Sequence, residues 1–172
     1  IQIPYSLCSI GEYAFSNCVS LKEFTIPYNT SIISDGLFSG CKSLKIIELH
    51  DHITKIGDCA FENCNCLEEF SIPKSVETII GNPFKDIIKI DKFISLSPNY
   101  IIQDGILFDS DKTRIISCQS NTRVINIPDT VTEIEPYAFS NTLFLEEVYL
   151  PPTIKHIGDG TFSGCRNLKK VS

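Results

Sequence analysis

The sequence contains no Met and no Trp, and only three His. No apolar run approaches the ~20 residues a bilayer-crossing helix needs, because Lys or Asp interrupts each one, as between Ile87 and Phe93. No direct membrane insertion is expected. Positive charge is scarce as well: 15 Lys and Arg stand against 21 Asp and Glu, a net charge of -6. Nucleic acid and anionic membranes both need clustered basic residues, so neither is an expected partner, whereas cationic surfaces are favoured. There is no glycine-rich phosphate loop, no metal-binding His-Glu-x-x-His arrangement, no elbow-type Ser and no pair of carboxylates at a catalytic spacing. Nothing here points to an enzyme, a cofactor or a bound metal. A chain without an initiator Met is expected to be a piece of a longer protein, so its lack of a targeting signal carries no weight.

What is present is self-similarity. "IGEYAFSNCVSLKEFTIP" at residues 10–27 returns as "IGDCAFENCNCLEEFSIP" at residues 56–73. Phe15, Phe38, Phe61 and Phe84 are spaced by 23 residues, and Phe139 and Phe162 are again 23 apart. A fixed period of this size signals a repeat architecture. Units of 23 residues run over 3–25, 26–48, 49–71, 72–94, 127–149 and 150–172, leaving residues 95–126 as an irregular coil within a single domain spanning 1–172.

Each position in the unit has a physical reading. Leu21, Phe24 and Ile26 give a Leu-x-x-Leu-x-Leu spacing, repeated by Leu44, Ile47 and Leu49, by Leu67, Phe70 and Ile72, and by Leu145, Val148 and Leu150. The last two members alternate as a strand with one buried face requires. Pro27, Pro73, Pro128 and Pro151 then stop the strand, having no N–H to donate. Gly11, Gly57 and Gly158 lead into Ala-Phe-x-x-Cys, whose spacing predicts about one helical turn. One unit cannot enclose its own Leu, Phe and Ile, so successive coils must stack, placing each Phe over the next at roughly 4.8 Å.

This pattern resembles the BspA-like leucine-rich repeats, and the resemblance covers nearly the whole chain. It implies a β-rich leucine-rich repeat solenoid of the α/β type, a right-handed stack of parallel strands with short helical turns and one inserted β-hairpin. Residues 97–118 resemble the hairpin-bearing insertion of that family, and Asp104-Gly105 and Asp109 to Lys112 supply its turns. Thr30 in an apolar position, Ser34 and Glu135 in place of Gly, Pro83 in place of Ala, and Ile87 and Thr142 in place of Cys depart from the pattern.

Cys18, Cys41, Cys64 and Cys165 share one position of the unit. Stacked and pointing the same way, they sit farther apart than the ~3.5–4.5 Å between Cβ atoms that a disulfide needs, which predicts a ladder of buried free thiols. Cys59, Cys64 and Cys66 lack a zinc-type spacing, and Cys8 and Cys118 are expected to be exposed. His50 and His52 are expected in a solvated loop, and Asp109 and Asp111 in a hairpin turn, since the remaining ligands of a calcium loop are missing. Asn29-Thr30-Ser31 is a glycosylation sequon.

The outward strand positions are the candidate binding surface: Glu23 and Thr25, Ile46 and Glu48, Glu69 and Ser71, Val124 and Asn126, Glu147 and Tyr149, Lys170 and Ser172. They lie on the inner curve if the solenoid bends as such repeats usually do. Four glutamates would steer a partner, and Ile46 and Tyr149 would anchor it. The resemblance implies a surface-exposed or secreted protein that adheres to host or extracellular-matrix proteins; an intracellular scaffold built from the same repeat is the alternative. Ile1-Gln2-Ile3-Pro4 aligns with the tail of a strand and Leu168 to Ser172 with the start of one, so a longer array or end-to-end self-association is expected.

Overall fold

Twenty-three residues suffice for the chain to go round three faces and return above its starting point. The computed structural model describes residues 3–172; Ile1 and Gln2, invoked above as part of a strand tail, lie outside the described residues. The first face, the strand face, carries β1 (Glu23–Thr25), β3 (Ile46–Glu48), β5 (Glu69–Ile72), β7 (Lys92–Ser95), β11 (Val124–Asn126), β13 (Glu147–Tyr149) and β15 (Lys170–Val171). The second carries β2 (Ile32–Ile33), β4 (Lys55–Ile56), β6 (Thr78–Ile79), β12 (Glu133–Ile134) and β14 (His156–Ile157). Pairing between regular coils is parallel with like positions opposite each other, as in Phe24 with Ile47 and Ile125 with Val148.

The third face corrects the expectation of short helical turns: the described residues contain no helix. The Ala-Phe-x-x-Cys stretch is a run of tight turns that shares its N–H groups with the neighbouring coil. Tyr13, Phe15 and Asn17 donate to the carbonyls of Asp35, Leu37 and Ser39, and Gly36, Phe38 and Gly40 repeat this onto Asp58, Ala60 and Glu62. The intervening N–H groups close turns three residues back, as from Ser16 to Tyr13 and Cys18 to Phe15. A helix would keep all its bonds within the segment. It is excluded by two left-handed residues in each coil, four apart in Tyr13 (φ 56°) with Asn17 (φ 59°) and Cys59 (φ 53°) with Asn63 (φ 58°), and five apart in Gly81 (φ 52°) with Asp86 (φ 57°). Where a Tyr of one coil lies over the next, Gly is required: a Cβ on Gly160 (φ 60°) would come within 2.3 Å of the Tyr137 ring.

Inside, Phe38, Phe61, Phe84 and Phe139 are fully buried. Rings 15/38, 38/61 and 61/84 stack nearly parallel, with centroids 5.8, 5.8 and 5.9 Å apart. This exceeds the ~4.8 Å strand spacing expected for the column, as offset stacking does. Phe24, Phe70 and Phe93 of the strand face wedge edge-on against this column, with Phe70 5.0 Å from Phe61 and 4.8 Å from Phe84.

The inserted hairpin is present. β8 (Tyr100–Gln103), β9 (Ile106–Asp109) and β10 (Arg114–Cys118) form antiparallel pairs, and β10 joins β12 in parallel. Asp109 accepts from the Thr113 and Arg114 N–H groups and the Thr113 hydroxyl, so it shapes the turn. The two sides of the hairpin serve two cores: Leu107 and Ile116 pack with the preceding coils, and Ile106, Phe108, Ile115 and Cys118 with the following ones. On the third face, Asn82 Nδ2 donates to the Tyr137 carbonyl (3.1 Å) and Asn141 Nδ2 to Asp86 Oδ1 (2.8 Å), tying the coils on either side of the insertion together.

Several departures from the repeat pattern are satisfied in place. Thr30, buried, donates to the Leu7 carbonyl, Ser34 to that of Ile10, Thr142 to that of Phe139, and Arg114 pairs with Glu135 at 2.6 Å. All eight cysteines are free. Cys41, Cys64 and Cys165 donate to the carbonyls of Phe15, Phe38 and Phe139 in the coil before, so the ladder is hydrogen-bonded as well as packed. Cys18 and Cys165, in the end coils, are only half-buried. Cys118, expected to be exposed, is buried, because β10 carries it into the second core. Burial pushes the thiol of Cys41 up to about 11 and those of Cys64 and Cys118 up to about 12.

Four outcomes follow from this packing. Phe61→Ala destabilises by ~3–5 kcal/mol in denaturant melts. Asn63→Gly leaves the melting midpoint nearly unchanged, whereas Asn63→Val lowers stability by ~1–2 kcal/mol, since only the latter resists a left-handed backbone. Cys8 reacts rapidly with a thiol reagent at pH 8, while Cys41, Cys64 and Cys118 react only on unfolding. Above pH 9.0, where free thiols ionise, the unfolded chain loses protons that the folded chain retains, so these three cysteines make stability fall as pH rises.

Candidate binding surface

On the strand face, alternate residues point out of the stack. Glu23, Thr25, Ile46, Glu48, Glu69, Ser71, Val124, Asn126, Lys170 and Ser172 are exposed; Glu147 and Tyr149 are half-buried. Parallel pairing at one 23-residue step sorts most of them into columns, with Glu23 beside Ile46, Thr25 beside Glu48, Glu147 between Val124 and Lys170, and Tyr149 beside Asn126.

The charge pattern differs from four free glutamates. Lys92 Nζ lies 3.0 Å from Glu69 Oε2, and Tyr149 donates to Glu147 while its own ring lies 4.6 Å from Lys170 Nζ. Just outside the columns, Glu146 bridges Lys169 (2.7 Å) and Arg123 (3.5 Å), and Lys45 faces Glu68 at 3.7 Å. Among the described residues, the strand-face acids Glu23, Glu48 and Glu147 have no ion pair; Glu147 is half-buried and accepts from Tyr149, so the exposed, unpaired acidic character concentrates at the β1 and β3 end.

Two residues of this surface were not anticipated: Lys92 and Ile94 on β7, both exposed. Ser95 stands where the last apolar residue of Leu-x-x-Leu-x-Leu belongs and hides the strand in the pattern. Its signal was the 23-residue step from Phe70 to Phe93, which face each other in the β5–β7 pair.

The strand face is not one continuous sheet. β1 pairs with β3 and β5 with β7, but among the described residues no backbone bond joins β3 to β5 or β7 to β11. The parting of β3 and β5 occurs although the same two coils remain bonded on both other faces, through β2-β4-β6 and through Gly36, Phe38 and Gly40. Among the described residues the column wedged against the Phe stack runs Phe24, Ile47, Phe70, Phe93 before the insertion, and Ile47 is its one aliphatic member there. Between Phe38 and Phe61 no ring fills the corner that Phe24 and Phe70 fill in adjacent coils. Ile47 is accordingly half-buried where Phe24 and Phe70 are buried, and a cleft of about 520 Å³ opens above it. Ile46 and Glu48 form one wall, Glu69 and Ser71 the other, Ile47 and Phe70 the floor, and Lys45, Lys92 and Ile94 stand at the rim.

Elsewhere the chemistry is structural. His50 Nε2 bonds to the Pro27 carbonyl (3.0 Å) and His52 Nε2 to the Tyr28 hydroxyl (3.0 Å), so this loop is a small packed aromatic cluster and not two freely solvated imidazoles. Among the described residues no group of three or more His, Cys, Asp or Glu converges as metal ligands, and no helix is long and apolar enough to cross a membrane. The sequon residue Asn29 is exposed, and its Nδ2 donates to the Tyr5 carbonyl.

Comparison with curated protein sequences gives no match. Among solved structures, a leucine-rich cell surface protein of Faecalibacterium prausnitzii is 29% identical with a TM-score of 0.88, over 96% of this chain and 45% of its own. The pneumococcal vaccine antigen PcpA is 27% identical with a TM-score of 0.79, over 88% of this chain and 39% of its own. A leucine-rich repeat protein of Bacteroides ovatus is 26% identical with a TM-score of 0.56, over 98% of this chain and 53% of its own. The chain thus spans about half or less of the length of these similar proteins. The sequence pattern of the BspA type leucine rich repeat region matches residues 1–114 and 116–172, in six copies. With this match and its 23-residue stacking, the chain belongs to the BspA-type leucine-rich repeat family.

Proposed function

We propose that the chain is a non-enzymatic protein-binding module of a cell-surface or secreted protein, and that it recognises host or extracellular-matrix proteins through its strand face. The observation that carries this reading is the face itself. It is broad and open, with exposed Ile46, Ile94 and Val124 set among charged residues, and so suits a protein partner better than an enclosed small substrate. The cell-surface assignment rests on the description of the Faecalibacterium protein as a cell surface protein. The free cysteines do not favour an intracellular scaffold instead, because stacked thiols that point the same way stay unpaired in an oxidising compartment too.

The test compares retention of solubilised extracellular-matrix proteins and of cytosolic proteins by the immobilised chain. Saturable retention from the matrix fraction is expected. Ile46→Asp combined with Ile94→Asp weakens it at least about tenfold, or ~1.4 kcal/mol, without changing the melting midpoint. Glu48→Lys weakens it further and flattens its salt dependence. Retention that is unchanged in these variants, or equal from cytosol, contradicts the reading.

A further inference from the structure

The cleft between β3 and β5 has an unusual inventory of polar groups. The N–H groups of Lys92 and Leu96 donate to the carbonyls of Glu68 and Ile72, so the backbone of Glu68, Phe70 and Ile72 faces β7 and that of Glu69 and Ser71 faces β3. On the other wall the Ile46 N–H donates to Lys22, which turns the backbone of Ile47 towards β5. Among the described residues these inward-facing groups of Ile47, Glu69 and Ser71 have no backbone partner. In the following coils the corresponding groups are paired, as in Ile127 N–H to Tyr149 and Leu150 N–H to Ser172. The cleft therefore combines two facing strand edges with an apolar floor of Ile47 and Phe70.

Unpaired N–H and C=O groups spaced along a strand edge match one kind of ligand better than any other, which is another peptide backbone in extended conformation. Charge adds a preference. Glu48, Glu68 and Glu69 face Lys45 and Lys92 around the opening, and Glu48 has no ion pair among the described residues. We propose that this cleft takes up an extended, basic peptide segment of a partner protein as an added strand, its alternate apolar side chains directed at Ile47 and Phe70. The proposal deepens the strand-face reading above and rests on it.

Two variants test it without disturbing internal bonds. The Ser71 N–H faces the cleft and has no partner among the described residues, so Ser71→Pro removes a docking donor at an edge where Pro is tolerated. Ile47→Phe supplies the missing ring and closes the floor. The probe is a capped fluorescent peptide of about six residues alternating Val and Lys, a typical strand length, read by anisotropy against the intact chain.

The wild-type chain is expected to bind the peptide saturably. Ser71→Pro, with unchanged melting midpoint, and Ile47→Phe, with a midpoint that is not lowered, each weaken binding at least about tenfold, and N-methylation of alternate peptide residues abolishes it. Before peptide is added, the amides of Ile47, Glu69 and Ser71 exchange with solvent much faster than those of Phe70 and Ile72, and peptide slows them. Absence of saturable binding, equal binding by Ser71→Pro, or equally slow exchange at Ser71 and Ile72 overturns the proposal. Should matrix proteins be lost by Ile46→Asp with Ile94→Asp yet retained by Ser71→Pro, the strand face remains the binding surface and the cleft does not.

Discussion

Registration of one coil on the next is the constraint from which the rest of this structure follows. A single 23-residue coil has no interior; Phe38 becomes buried only because Phe15 and Phe61 lie on either side of it. The register is held by backbone as much as by side chains. On the third face, alternate N–H groups leave their own coil for the next one, and the thiols of Cys41 and Cys64 reach back to the coil before. Slipping one residue would break these bonds and bring unlike side chains together along every column. The rigidity of the stack is thus a sum of small repeated terms, each requiring the neighbour to be in place.

The same constraint explains where the stack yields. Coils joined on three faces have little freedom, but the corner between the strand face and the Phe column depends on an aromatic wedge. Phe24, Phe70 and Phe93 supply it, and Ile47 does not. The strand face parts at Ile47, while the second and third faces hold. The inserted hairpin makes another interruption by adding strands to the second face that have no counterpart on the strand face, and the core divides into two clusters around it. A regular scaffold thereby presents an irregular surface.

Much of this was legible in the sequence. Period, strand positions, the Phe column and the hairpin all follow from spacing, since a repeat prints its register in its residues. The turns of the third face were misread because Ala-Phe-x-x-Cys has helical spacing. The opposing signal was available: the same position holds Asn17, Gly40, Asn63, Asp86, Asn141 and Gly164, the residue types that accept a left-handed backbone. Asp109, read as a turn residue, is one, whereas Cys118 escaped because its burial depends on which side of β10 meets the second core. The alternate strand residues do point out of the stack, but their ion pairs were not foreseen, since Lys92 with Glu69 pairs charges on successive coils and one of these strands was hidden by Ser95. The cleft was beyond reach, because it arises from a difference in volume between Ile47 and the Phe residues above and below it.

The claim that like residues meet like residues down the interior is tested most directly by double-mutant cycles on the Phe column. Phe38→Leu and Phe61→Leu, whose rings stack at 5.8 Å, should couple by ~0.5–1.5 kcal/mol. Phe61→Leu and Phe139→Leu, which belong to separate cores on either side of the hairpin, should combine additively. Additive losses for Phe38 and Phe61, or coupling of equal size across the hairpin, would contradict a column built from neighbouring coils.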